Sequence, residues 1–438
     1  MLASYYQVLK ELIAMKSISV HTKYIHDIEK TSMYLNTMLQ DNDFDSEIIH
    51  GYGNPVVLWK YIVDVSLPTM LVYGNYDVQS ADIGEWRNHD PFSLYITQDK
   101  IYGRGVANNK WQFLIHLLTI FGLIETKKLG YNVIVLLEGN KETWSPYIEQ
   151  FVYDYRQELV SDFFLVSDSC IVWNAPCIDV WYRWWIHLTL HIKTANTDLH
   201  SWLYGGVVPN AIHEMSKILS KLYDGTNKIT IPYFYYDVED VPFDVIVQHK
   251  KVQINEQKLL DDFWLKIFLK DKKFDFLTQI GLMPTIQVTS IDAGYTCDEY
   301  KNTIPHQALA HINFRIVKNQ NTKNTLAAFD QWLQTTLPDY ITYDLNILSL
   351  YEPIKIDSNN FYIKKAEAVL SSVFSQTVFY KYSWAGSPIV EVVERIINAK
   401  PVLIPFVNQD CNVHGVNENF DIELIEKWFQ FSYEFFKK

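Results

Sequence analysis

Three short segments carry the side chains best suited to chemistry. Gly74-Asn75-Tyr76-Asp77-Val78-Gln79 supplies a carboxylate beside an amide, and Gly103-Arg104-Gly105-Val106-Ala107-Asn108-Asn109-Lys110 supplies two adjacent amides. Leu137-Glu138-Gly139-Asn140-Lys141-Glu142-Thr143-Trp144-Ser145 adds Lys141 and Glu142. Further along, Val166-Ser167-Asp168 adds Asp168, and His414-Gly415-Val416-Asn417-Glu418 adds an imidazole. Carboxylates and imidazoles are the donors that hold zinc and move protons. Two features interrupt that chemistry. Asn75 and Asn108 offer neutral amide oxygens, which are poor zinc ligands. Lys141, as an ammonium, can only donate hydrogen bonds.

The elements that position these residues follow from hydrophobic spacing. Residues 1–40 read as helices, followed by short strand-like runs at 56–62, 69–73, 132–137 and 163–166. The helical stretch 110–126 lies among them and is apolar nearly all round, which predicts burial. This alternation predicts an α/β layer with a largely parallel sheet. From Trp185 the pattern changes. Runs 185–193 and 306–317 alternate in strand fashion, with helical stretches at 208–223 and 259–269 between them and another at 324–337. The expected organisation is a catalytic-type domain of residues 1–183 and 354–438, with a smaller α+β domain, 184–353, inserted in it.

The bulk properties narrow the function classes. The chain has 438 residues, 48% hydrophobic and 20% charged, which is globular composition for about two domains. A net charge of −13 argues against nucleic acid and anionic membrane as partners, since both attract basic surfaces. Aromatic residues make up 15% of the chain, consistent with a large buried dimer contact or an aromatic-lined cleft. Cys170, Cys177, Cys297 and Cys411 lack knuckle spacing and read as buried or idle thiols. Residues 1–20 read as an amphipathic surface helix rather than a signal peptide. The apolar run 113–124 is interrupted by His116 and too short to span a bilayer. A soluble, cytoplasmic protein is the expectation.

Together with Asp198-Leu199-His200-Ser201-Trp202, Gly205-Gly206-Val207-Val208-Pro209-Asn210, Phe314-Arg315-Ile316-Val317 and Gly386-Ser387-Pro388, these segments fall in a recognisable order. In that order the chain resembles the carnosinase / acetylornithine deacetylase / succinyl-diaminopimelate desuccinylase superfamily of di-zinc metallopeptidases, in its carnosinase-like dipeptidase branch. The resemblance covers nearly the whole chain. It implies a two-domain zinc-peptidase-like α/β fold: a mixed sheet flanked by helices, with an inserted α+β lid that forms a homodimer. By position, one metal would be held by Asn75, Asn108 and Asp168, and the other by Asn108, Glu142 and His414. Lys141 stands at the general-base position and Asp77 beside it. The resemblance also implies that His200 reaches across the dimer contact to the substrate carbonyl and that Arg315 grips a substrate carboxylate. Gly386 and Ser387 lie in the closing loop and are assigned to substrate binding. Trp111, Trp144 and Trp202 stand where the family carries glycine, and are expected to reshape the cleft.

The paired-zinc state is therefore expected to be lost, leaving no metal or one weakly held zinc on Glu142, Asp168 and His414. Three readings stay open. The first is a pseudoenzyme that binds a small carboxylate-bearing amino-acid or peptide-like molecule. The second is an active dipeptidase or amidohydrolase with one weak metal, or metal-free acyl transfer through Lys141. The third is an assembly role in which the lid dimerises and the cleft is vestigial.

Overall fold

A computed structural model describes residues 2–86, 89–172, 175–241, 243–251, 254–297, 299–350, 354–383 and 388–438. The chain forms two compact units: Met1–Val180, Ile356–Lys381 and Ser387–Lys438 in the first, and Trp181–Lys355 with Tyr382–Gly386 in the second.

The first unit is built on a mixed sheet. Its strands lie in the order Asp45–Ile49, Val56–Tyr61, Asn132–Glu138, Thr69–Asn75, Phe163–Val166, Lys400–Leu403 and Cys177–Tyr182. The centre is parallel: Thr69–Asn75 runs beside Asn132–Glu138 and Phe163–Val166, and Lys400–Leu403 beside Phe163–Val166. The edges are antiparallel, at Asp45–Ile49 with Val56–Tyr61 and at Leu403 with Asp179. All seven residues of Asn132–Glu138 are buried. A central strand covered on both faces must be apolar throughout, which is why this run does not alternate. The Lys110–Glu125 helix is likewise buried nearly all round, with Trp111, Phe113, Ile115 and Leu117 among its inward residues. Gly74 lets this helix approach, because a Cβ there would stand 2.6 Å from Phe113 Cβ.

The parallel strands share one polarity, so their carboxyl ends open on the same side. Asn75 ends one strand, Glu138 another, and Asp168 follows Val166 by two residues. The crevice outside such strand ends is where open α/β sheets place ligands.

The second unit carries a four-stranded antiparallel sheet in the order Thr285–Ala293, Gln307–Ile316, Trp184–Lys193 and Thr342–Leu350. Burial alternates along Gln307–Ile316, with Ala308, Ala310, Ile312, Phe314 and Ile316 facing the core. Phe314 packs edge-on to Phe329 of the Thr322–Thr336 helix, ring centroids 5.0 Å apart. Two helix boundaries differ from the spacing-based expectation. The stretch 208–223 is helical only over Ala211–Ser220, because the Asn210 side chain caps it by accepting from Ile212 and His213. The stretch 259–269 is not one helix, since the Glu256–Asp262 helix takes in only its first four residues. Trp264 adopts φ +56° and Leu265 N–H donates back to Leu260 O at 2.8 Å, the hydrogen bond of a left-handed C-terminal stop. No described helix is long and apolar enough to cross a membrane.

Candidate functional site

The polar residues at the strand ends form one connected network in the first unit. Asp77 Oδ2 accepts hydrogen bonds from Ser19 Oγ at 2.7 Å and from the Glu142 backbone N–H at 2.8 Å. Asn75 Nδ2 donates to the Asp77 carbonyl at 3.1 Å and to its Oδ1 at 3.2 Å. Asn108 Nδ2 donates to Glu142 Oε1 at 2.9 Å and lies 2.6 Å from His414 Nε2. Glu142 Oε2 lies 3.1 Å from that same ring nitrogen.

Lys141 sits at the middle of this network. Its Nζ donates to Asn108 Oδ1 at 2.7 Å and pairs with Asp168 Oδ2 at 3.0 Å and Glu142 Oε1 at 3.5 Å. The structure thus brings together Asn75, Asp77, Asn108, Lys141, Glu142, Asp168 and His414 from five separate stretches of chain.

Burial and charge set the protonation states. Burial pulls the Lys141 ammonium's pKa down, but Asp168 and Glu142 outweigh it and hold it above the ordinary lysine range. Burial pushes Glu142 up, yet Lys141 and then His414 hold it below the ordinary carboxylate range. Asp77 goes the other way. Burial, and then repulsion from Glu142, push it up to about 6. The contacts with Asp168 and Glu142 thus favour the charged ammonium form of Lys141.

Two of the residues at these strand ends, Asn75 and Asn108, carry neutral amides rather than zinc donors. Zinc sites take imidazole, carboxylate or thiolate donors around each ion. Here the Asn108 oxygen is taken by an ammonium, and the Asn75 amide nitrogen points to Asp77. Asn75 Oδ1 is buried with no hydrogen-bond partner.

The loop bearing Asn108 depends on a pair that sequence reasoning did not single out. Arg104 Nη1 donates to Glu418 Oε2 at 2.6 Å, with both side chains almost fully buried. Glu418 Oε1 accepts the backbone N–H groups of Gly105, Ala107 and Asn108 at 3.1, 2.8 and 3.1 Å. Arg104 Nη2 also donates to the carbonyls of His414 and Gly415, both at 3.1 Å. This pair ties the Asn108 loop to the His414 loop. The only signal in the sequence was an arginine between glycines and a glutamate four residues after a histidine. Behind the site, neutral His116 bridges Ser167 and Ser432 at 2.8 and 3.0 Å, and burial lowers its pKa to about 3.

The remaining residues singled out from sequence lie elsewhere. His200 belongs to the second unit, in the short Leu199–His200 strand, and its Nδ1 accepts the Trp202 N–H at 3.2 Å. Arg315, also in the second unit, lies opposite Trp185 in the sheet and holds its guanidinium 5.2 Å from that indole ring. Gly386 and Ser387 lie outside the described residues. The tryptophan expectation needs correcting at Trp111, which lines no cleft: it is fully buried against Phe406 and Phe420. A helix position pointing into the sheet core leaves no other place for an indole. Trp144 and Trp202 are 49% and 88% exposed.

Comparison with known proteins finds relatives of both the sequence and the fold. The profile of the peptidase dimerisation domain matches residues 187–341. The chain is 24% identical over 375 residues to the human Beta-Ala-His dipeptidase, covering 84% of this chain and 74% of that protein. It is 23% identical over 391 residues to the Cys-Gly metallodipeptidase DUG1 of Saccharomyces cerevisiae, covering 84% and 78%. Among solved structures, the M20 family metallo-carboxypeptidase Sso-CP2 from Sulfolobus solfataricus superposes with TM-score 0.89 at 25% identity, covering 99% of this chain and 98% of that one. Human carnosine dipeptidase 1 superposes with TM-score 0.85 at 21% identity, covering 99% and 96%.

Proposed function

This chain belongs to the carnosinase-like branch of the M20 metallopeptidases, and from that membership we propose a relative that binds small peptides but has exchanged the paired zinc ions for a built-in cation. The observation that carries the proposal is the position of Lys141, whose ammonium touches Asn108, Asp168 and Glu142 together. Dications and this ammonium compete for the same carboxylates, and like charges at close range repel. The ligand is a carboxylate-bearing amino-acid or dipeptide-like molecule. Its carboxylate is assigned to Arg315.

In this reading residues 1–183 and 354–438 carry the cleft, and 184–353 form the lid through which two copies pair in the cytoplasm. Exposed Trp202, Leu203 and Val207, at 88%, 72% and 83%, support a second copy covering the segment after His200.

A second reading has its own support. The named relatives are dipeptidases, Glu142, Asp168 and His414 persist, and the Asn75 carbonyl oxygen is buried without a partner. A single weakly held ion would then sustain dipeptide hydrolysis.

Metal analysis of the purified protein, run beside a dipeptide panel assayed for binding and for cleavage, separates the two. Binding without cleavage, at well under one zinc per chain, is expected. Two zinc ions per chain with turnover would overturn the proposal.

A further inference from the structure

Two thiols lie at the edge of the site. Cys170 follows Asp168 by two residues, and Cys411 precedes His414 by three. Although 241 positions apart in sequence, their Sγ atoms are 3.6 Å apart. Both backbones are pinned. Ile171 N–H donates to Val407 O at 2.7 Å, and Asn419 N–H donates to Cys411 O at 2.9 Å. A disulfide needs sulfurs about 2.05 Å apart, so the pair is about 1.5 Å from bonding. Access is graded as well: Cys170 is partly exposed and Cys411 is buried.

We propose that Cys170 and Cys411 are a modification site that forms a reversible disulfide by exchange with a low-molecular-weight disulfide, tying the Asp168 segment to the His414 segment. The partly exposed Cys170 thiolate attacks one sulfur of the small disulfide, forming a mixed disulfide and expelling one small thiolate. The Cys411 thiolate then attacks the Cys170 sulfur, forming the Sγ–Sγ bond and releasing the second. Two protein thiols are oxidised, one small disulfide is reduced to two thiols, and the two protons lost by the cysteines are taken up by those products. The bond joins the loop carrying Lys141's partner to the loop carrying His414, so oxidation restricts both sides of the network. The pairing is independent of whether the site holds metal.

The test uses the full, reduced chain, incubated with oxidised glutathione at about pH 8, near the ordinary thiol pKa of about 8.5. The free thiols are then blocked and the protein is mapped by mass spectrometry. The expected product has lost two hydrogens, carries a Cys170–Cys411 cross-linked peptide and reverts with dithiothreitol. Cys411→Ser is expected to stop at a stable glutathione adduct on Cys170. Exposed Cys297 serves as the internal control for oxidant activity. Glutathione on Cys297 while Cys170 and Cys411 both remain free would overturn the proposal. So would a mixed adduct persisting on Cys170 in the unsubstituted chain, and that result does not depend on how any variant folds.

Discussion

Replacing Lys141 with methionine keeps the side-chain length and removes the charge. The ammonium stands 3.0 Å from Asp168 and 3.5 Å from Glu142. At an effective dielectric of ~20, each attraction is worth about 5 kcal/mol. Desolvation of the ammonium offsets much of this, and removing one partner of a buried ion pair typically costs about 3–5 kcal/mol. The Lys141 side chain is 16% exposed, so solvent screening places the loss at the lower end, about 3 kcal/mol at neutral pH. The sign with pH is fixed. In the unsubstituted chain the folded-state pKa of Glu142 lies below its unfolded value. Its contribution is therefore present above the ordinary carboxylate range and is lost as pH falls through the folded value. Without the ammonium, the crowded carboxylates protonate more readily in the folded state than in the unfolded one, so acid favours the folded variant. Urea unfolding of both proteins at intervals from about pH 7 to pH 4 should show the stability gap narrowing with acid. A gap under about 1 kcal/mol at neutral pH, or one independent of pH, would refute the reasoning that Lys141 compensates buried negative charge.

Three further outcomes are expected. Combining Asn75→His, Asn108→Asp and Lys141→Glu should restore zinc binding, read as metal content and a zinc-dependent rise in Tm; the unsubstituted chain should show neither. Glu418→Gln should cost about 3 kcal/mol in urea unfolding, because it leaves buried Arg104 without its counter-charge; a loss within experimental error would show that the pair does not hold the Asn108 loop. His116→Gln should flatten the acid side of the stability profile. The folded-state pKa of His116 is lowered to about 3, so its contribution is fully present above about pH 6.5 and is lost as pH falls toward the folded value. An unchanged slope below about pH 6.5 would contradict that assignment.

Much of this protein was determined by local sequence. The strand-like run that became Asn132–Glu138 and the alternating run that became Gln307–Ile316 are legible as strands from periodicity, and the Lys110–Glu125 helix, apolar nearly all round, announces its burial in the same way. Short polar segments in a fixed order marked Asp77, Asn108, Lys141, Glu142, Asp168 and His414 before any contact was known. What spacing could not supply was the partner of each charge. Arg104 and Glu418 are 314 positions apart and meet as a buried pair. Cys170 and Cys411 read as unrelated thiols until the fold set their sulfurs in contact. The burial of Trp111 likewise depends on which rings lie opposite. Secondary structure follows from near neighbours along the chain, whereas ion pairs, thiol contacts and ring packing depend on distances that only the closed tertiary fold sets.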